Sequence, residues 1–163
     1  MNNLGINNLL TQQEADALLT LGKYDFSNGE YKFPYMGGSL RLSLHSMDKK
    51  ETFNLDVTRG YIALEKITFQ TRARKAIVLV RLDIEGPPHR NPDIEGPPHR
   101  NPDGEEIICP HIHLYREGYG DKWAYPLPDE LKSVLDRPYE LLDKFMDYCH
   151  IIGKPMIQRE LFI

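Results

Sequence analysis

The sequence predicts an α+β fold: a mostly antiparallel β-sheet with an N-terminal helix and C-terminal helices. Three observations predict it. A capping signal with helical spacing opens the chain, stretches of period-two alternation fill its middle, and helical spacing returns near its end.

Taken in order, Thr11-Gln12-Gln13-Glu14 is a capping box, and Ala15, Leu18, Leu19 and Leu21 follow it, so a helix is expected over about 12–21. The period then becomes two. "SLRLSLHS" sets Leu40, Leu42 and Leu44 on one face, and "ETFNLDV" does the same with Phe53, Leu55 and Val57. "YIALEKITF" and "KAIVLVRLDI" also read as strands, the second apolar enough to lie inside a sheet. Gly37-Gly38 and Arg59-Gly60 mark turns. From 129 to 150 the helical period returns through Leu131, Val134, Leu135, Leu141, Leu142, Phe145 and Met146, with Pro138 suited to a first helical turn.

Composition narrows the class. With 163 residues, 40% hydrophobic and 27% charged, one domain spanning 1–163 is expected. No apolar run is long enough for a membrane span and no secretory leader is visible, so no membrane association is expected. Two cysteines, Cys109 and Cys149, imply no disulfide framework and point to the cytoplasm. A net charge of −4 disfavours a general grip on duplex nucleic acid while leaving room for a local phosphate contact.

The decapeptide "DIEGPPHRNP" occupies 83–92 and recurs unchanged at 93–102. Gly-Pro-Pro units cannot pair in a ladder. Residues 84–104 are therefore expected to form an exposed loop, closed by a turn at Asp103-Gly104, and the second copy is expected to be dispensable. Because one copy must be displaced, neither His89 nor His99 is expected to serve a site.

The stretch with chemistry is "CPHIHLYREGYGDKWAYP", 109–126. As a strand over 107–115, Cys109, His111, His113 and Tyr115 share one side, and Ile108, Ile112 and Leu114 the other. Gly118 and Gly120 permit a turn, after which 122–126 pairs back with Tyr115 opposite Lys122. That register puts Trp123 and Tyr125 in the core beside Leu114 and Ile112, and Lys122 and Ala124 beside the histidines, whose face is expected to be partly exposed. The two imidazoles suit proton transfer. Lys122 with Arg81, or with Arg72 and Arg74, suits a phosphate. Metal ligation is not favoured; its candidate ligands are His111, His113, Cys109 and Glu117. Tyr119, at a glycine-flanked tip, is placed for a partner contact or for a plain turn.

Three resemblances bear on these residues. "HIHLYRE" resembles the His-x-His-x3-Glu core of the first cupin motif at His111, His113 and Glu117, without the glycine expected afterwards and without a second motif. Most of the chain, from about Leu10 to Phe162, resembles a family of small uncharacterised bacterial and phage-associated domains. That likeness is carried by "LTQQEADALL", "RARKAIVLVRLD", "PHRNPDGEEI", "CPHIHLYREGYGDKWAYPLP" and "IQRELF". It implies a shared fold and a single copy of the proline loop, from which this chain departs. More distantly, the Pro-His-x-His strand is similar to that of toxin-like domains in toxin–antitoxin operons.

Three functions are therefore carried forward. The first is an accessory protein with a phosphodiester-directed site, in its most concrete form a metal-independent ribonuclease without cofactor. In it His111 and His113 are acid and base, Tyr115 orients, and Lys122 and Arg81 hold phosphate. The second is a binding or inhibitory protein that uses the histidine face on a protein partner. The third is a cupin-like metal enzyme.

Overall fold

A computed structural model describes residues 10–60, 66–84 and 99–159. Helix α1 (Gln12–Thr20) starts at the predicted capping box, with Thr11 and Glu14 capping each other's backbone N–H. Strands β1 (Lys23–Tyr24), β2 (Glu30–Lys32), β3 (Ser39–His45), β4 (Thr52–Arg59), β5 (Ile67–Ala73) and β6 (Ile77–Ile84) follow. Next come β7 (His99–Arg100), β8 (Glu106–Ile107), β9 (His111–Leu114) and β10 (Ala124–Pro126). Helices α2 (Asp129–Lys132) and α3 (Pro138–Tyr148) and strands β11 (Ile151–Gly153) and β12 (Met156–Gln158) complete the order. Of the "YIALEKITF" reading, 61–65 lies outside the described residues, and the remainder enters β5.

Among the described residues, eight strands form the main sheet in the order β10-β9-β6-β5-β4-β3-β1-β11. Every pairing in it is antiparallel except β1 with β11. The predicted α+β class is the observed one, and β6 lies inside the sheet as its apolar run requires. No helix among the described residues is long and apolar enough to cross a membrane.

Alternation divides the sheet into two faces. Leu42, Leu44, Phe53, Leu55, Val57, Phe69, Val80, Leu82 and Ile112 are buried in one core, which also takes in Leu141, Leu142 and Phe145 of α3. The rings of Phe69 and Phe145 meet at 5.7 Å. Burial of that apolar area is the main force holding α3 on the sheet.

The opposite face is polar, and its order follows from register alone. Cross-strand partners run Arg41, Asp56, Gln70, Arg81, His113, Ala124 in one row across β3, β4, β5, β6, β9 and β10. The next row runs Ser39, Thr58, Thr68, Asp83, His111, Pro126. Directly opposed side chains in adjacent strands lie within interaction distance. Strand pairing therefore sets His113 beside Arg81 and His111 beside Asp83.

The predicted strand over 107–115 is two strands, β8 and β9, separated by a cis Cys109–Pro110 peptide. Within β9 and β10 the predicted register holds: Ala124 pairs with His113 and Tyr125 with Ile112. Gly118 and Gly120 have positive φ, at 83° and 63°, as the turn requires. Trp123 does not enter the core. It is half-buried, with the Arg116 guanidinium 3.7 Å from its ring centroid and Tyr119 edge-on at 5.1 Å. Trp123 precedes β10, the edge strand of the main sheet, where a large ring finds a cation and a neighbouring ring instead of a full apolar enclosure.

Candidate functional site

A short hairpin covers the histidine end of the polar face. His99 pairs with Ile107 and Arg100 with Glu106, and the turn between them is closed by hydrogen bonds from Asn101 N–H to Glu105 O and from Gly104 N–H to Asn101 O. Gly104 has a φ of 91°, which answers the turn expected at Asp103-Gly104. Asn101 fastens the hairpin to β10. Its side-chain amide donates to the Ala124 carbonyl at 2.9 Å, and its carbonyl oxygen accepts the Ala124 N–H at 2.8 Å. The amide thus stands in for a neighbouring strand, and Asn101 and Ala124 are both buried.

Of the exposed loop expected over 84–104, Arg100 and the turn at Pro102, Asp103 and Gly104 are exposed, but two described residues are not. Ile84 is a buried strand residue and Asn101 a buried anchor; residues 85–98 lie outside the described residues. The expectation of a partly exposed histidine face also changes. His111 and His113 share a face as alternation requires, but they are only 8% and 2% exposed. The cover is His99, whose ring centroid lies 5.5 Å from that of His111 and 4.7 Å from that of His113; the His111 and His113 rings are 5.1 Å apart. His99, discounted on sequence grounds, is a full member of the cluster.

Hydrogen bonding defines two of the three tautomers. His113 Nδ1 lies 2.9 Å from the Asp121 carbonyl and His99 Nε2 lies 2.9 Å from the Lys122 carbonyl. A carbonyl only accepts, so each of these nitrogens carries the proton. The lone pairs are then on His113 Nε2 and His99 Nδ1. Burial, with the Arg81 guanidinium alongside, pushes the His113 pKa down to about 4, so the ring is neutral at neutral pH.

Arg81 sits between two carboxylates. Its Nε donates to Asp83 Oδ2 at 3.0 Å and its Nη1 to Asp121 Oδ2 at 2.6 Å, while Thr68 donates to the other Asp83 oxygen. This resolves the charge that interrupts the apolar run of β6. Arg81, His99, Arg100, His113, Asp121 and Lys122 line one pocket of about 350 Å³.

The other expected site residues lie elsewhere. Tyr115 is buried, and its hydroxyl donates to the Leu10 carbonyl and accepts the Leu10 N–H; it anchors the approach to α1 and does not orient groups in the pocket. Arg72 binds Asp56 through both Nε and Nη2, and Arg74 binds Glu51. Both arginines sit at the opposite end of β5 and its turn, so neither reaches a phosphate in this pocket. Glu117 is exposed on the turn with its N–H donated to Gln12, and Cys109 is buried outside the imidazole cluster. Asp83, Asp121 and Asn101 join the site without any signal in sequence spacing. For His99 one signal exists: the copy adjoining Asp103-Gly104 keeps its spacing to the β8 and β9 strands, whatever is inserted before it.

Fold and pocket together define a small α+β domain with a histidine-lined pocket on the polar face of its sheet. The chain belongs to the family of unknown function DUF6978, whose model matches residues 10–95 and 93–151. The two matched stretches meet within the duplicated segment. No curated protein and no solved structure matches.

The duplication makes a testable case. Removing 93–102 or 83–92 yields the same chain, because the copies are identical. In the present chain the first copy supplies Asp83 and Ile84 to β6, and the second supplies His99 to Asn101. The shortened chain retains one of each, joined by the four residues 85–88 in place of the fourteen residues 85–98. Four residues span up to roughly 17 Å, enough to join Ile84 to a histidine stacked near His111, the register partner of Asp83. The shorter closure is favoured by about 1 kcal/mol. Deleting 93–102 is therefore expected to leave the melting temperature unchanged or slightly raised, with His89 taking the place of His99. Thermal denaturation checks this, and a fall of roughly ten degrees or more would show that the inserted residues support the fold.

Proposed function

We propose that the pocket is a catalytic site for a phosphate-bearing substrate, with phosphodiester cleavage in RNA as its most concrete form. The observation that carries this reading is the convergence of His99 and His113, with His111 packed against both, and of Lys122, Arg81 and Arg100 at one open pocket. Imidazoles at the reacting bond and cations at the phosphoryl oxygens are the two requirements of such a step. Two carboxylates offset the charge of Arg81, so Lys122, exposed at the rim, is the group assigned to the substrate's phosphate. Arg81 then acts as a positioning residue, holding Asp83 and Asp121 in place. The half-buried Trp123, with Arg116 over its ring and Tyr119 edge-on to it on the adjoining turn, forms with Tyr119 an aromatic surface for an unpaired base.

The acid–base pair expected from sequence, His111 with His113, is revised in this reading. A ring held neutral is a poor general acid, so His113 serves as base or ligand. The experiment is cleavage of single-stranded RNA and of a chromogenic phosphodiester by the purified chain. Wild type is expected to turn over at least one of them, His113→Ala to lose about 100-fold or more, and Lys122→Ala to raise KM more than it lowers kcat. Turnover of neither substrate, with or without added divalent metal, would sink the proposal.

A further inference from the structure

We propose that His99, His111 and His113 form a binding site for a single divalent transition-metal ion, with zinc and cobalt as the fitting chemical class. One ring nitrogen from each histidine lies within 4.8 Å of the others. An ion centred among three such atoms is at most about 2.8 Å from each, so shifts below roughly 1 Å bring all three to the usual zinc–nitrogen distance of about 2.0–2.1 Å.

Tautomer and orientation fit the same purpose. The remote N–H groups of His113 and His99 are held by the carbonyls of Asp121 and Lys122, two consecutive residues of one turn. This is the outer-shell arrangement that presents an imidazole lone pair to a metal. Asp83 lies beside the cluster, with its Oδ2 3.8 Å from His113 Nε2, and supplies negative charge next to the proposed cation. Three protein ligands leave a coordination position for water or substrate, and the cluster adjoins the pocket rimmed by Lys122. The ligands also differ from those considered on sequence grounds: His99, delivered by the covering hairpin, takes the third place instead of Cys109 or Glu117.

The site stands on ligand geometry and does not depend on the phosphate substrate proposed above. The test is titration of the full chain, first freed of metal by chelation, with Co²⁺ followed by absorption and with Zn²⁺ followed by calorimetry. One equivalent is expected to bind, and the cobalt spectrum is expected to show nitrogen coordination. His99→Ala should weaken binding by about 100-fold or more, while His150→Ala, in the exposed turn after α3, should leave it unchanged. His99 is the informative position because it is only half-buried in a two-residue strand, so its loss is expected to spare the fold; circular dichroism verifies this. X-ray absorption of the zinc-loaded wild type gives a reading that needs no variant: three imidazoles in the first shell. Absence of stoichiometric binding, or binding that His99→Ala leaves intact, overturns the site. Metal binding without turnover of any phosphodiester keeps the site and removes only the substrate reading.

Discussion

Replacing Lys23 by methionine is expected to destabilise the protein by about 3–5 kcal/mol. Lys23 is fully buried, and its Nζ donates to the carbonyls of Leu19 at 2.9 Å, Leu21 at 3.0 Å and Cys149 at 2.8 Å. Two of these carbonyls belong to the end of α1 and one to the end of α3, where carbonyl groups lack helical partners and attract a cation. The ammonium also lies 4.7 Å from the centre of the Phe53 ring. Methionine retains the length of the stem but leaves three buried acceptors without donors. Burial lowers the Lys23 pKa to about 8 from 10.5, so the group remains charged at neutral pH with all three protons in use. The sign of the pH dependence follows. Between pH 8 and 10.5 the unfolded chain holds this proton and the folded chain does not, so the contribution of Lys23 to stability rises with pH across that window. Urea unfolding of wild type and Lys23→Met at about pH 7 and about pH 10 checks both points. The stability difference between the two chains should be larger at the higher pH, because methionine lacks the titration that lifts the wild type. A cost below about 1 kcal/mol at neutral pH would show that water or a backbone shift satisfies the three carbonyls.

The second large effect is expected at Asn101. Asn101→Ala removes two buried hydrogen bonds and orphans both the N–H and the C=O of Ala124, at a cost of about 2–4 kcal/mol. The same change frees the hairpin that carries His99, so it should also raise the exposure of His111 and His113. Asn101→Asp is expected to be at least as damaging, because it keeps the acceptor for the Ala124 N–H but turns an acceptor towards the Ala124 carbonyl. Chemical denaturation measures the first effect, and histidine modification rates measure the second. Wild-type stability in Asn101→Ala would mean that the hairpin is held by other contacts.

Much of the scaffold is legible in the amino-acid sequence. Thr11 and Glu14 mark the start of α1 because a capping box is satisfied within four residues. The β9–β10 register can be read because Gly118 and Gly120 set the turn, and Ile112 and Leu114 distinguish one side of the strand from the other. The site is legible only in part. Arg81 and Lys122 go with the histidines because they sit in strands or turns adjoining β9. Charge alone groups Arg72 and Arg74 with them, but their partners are Asp56 and Glu51, brought in by the β4–β5 pairing.

What the sequence determined by itself is the set of local alternatives: which stretches are helix or strand, where turns fall, and that His111 and His113 share a face. These follow from backbone periods of 3.6 and 2 residues, which need no distant partner. The tertiary structure decided what covers that face. Tyr115 is claimed by Leu10, 105 residues earlier in the chain, and Ala124 by Asn101, 23 residues away. His99 reaches the cluster because the hairpin of β7 and β8 folds across the polar rows. Burial of a strand face depends on which segment, remote in sequence, offers complementary hydrogen bonds and surface, and alternation carries no information about that segment.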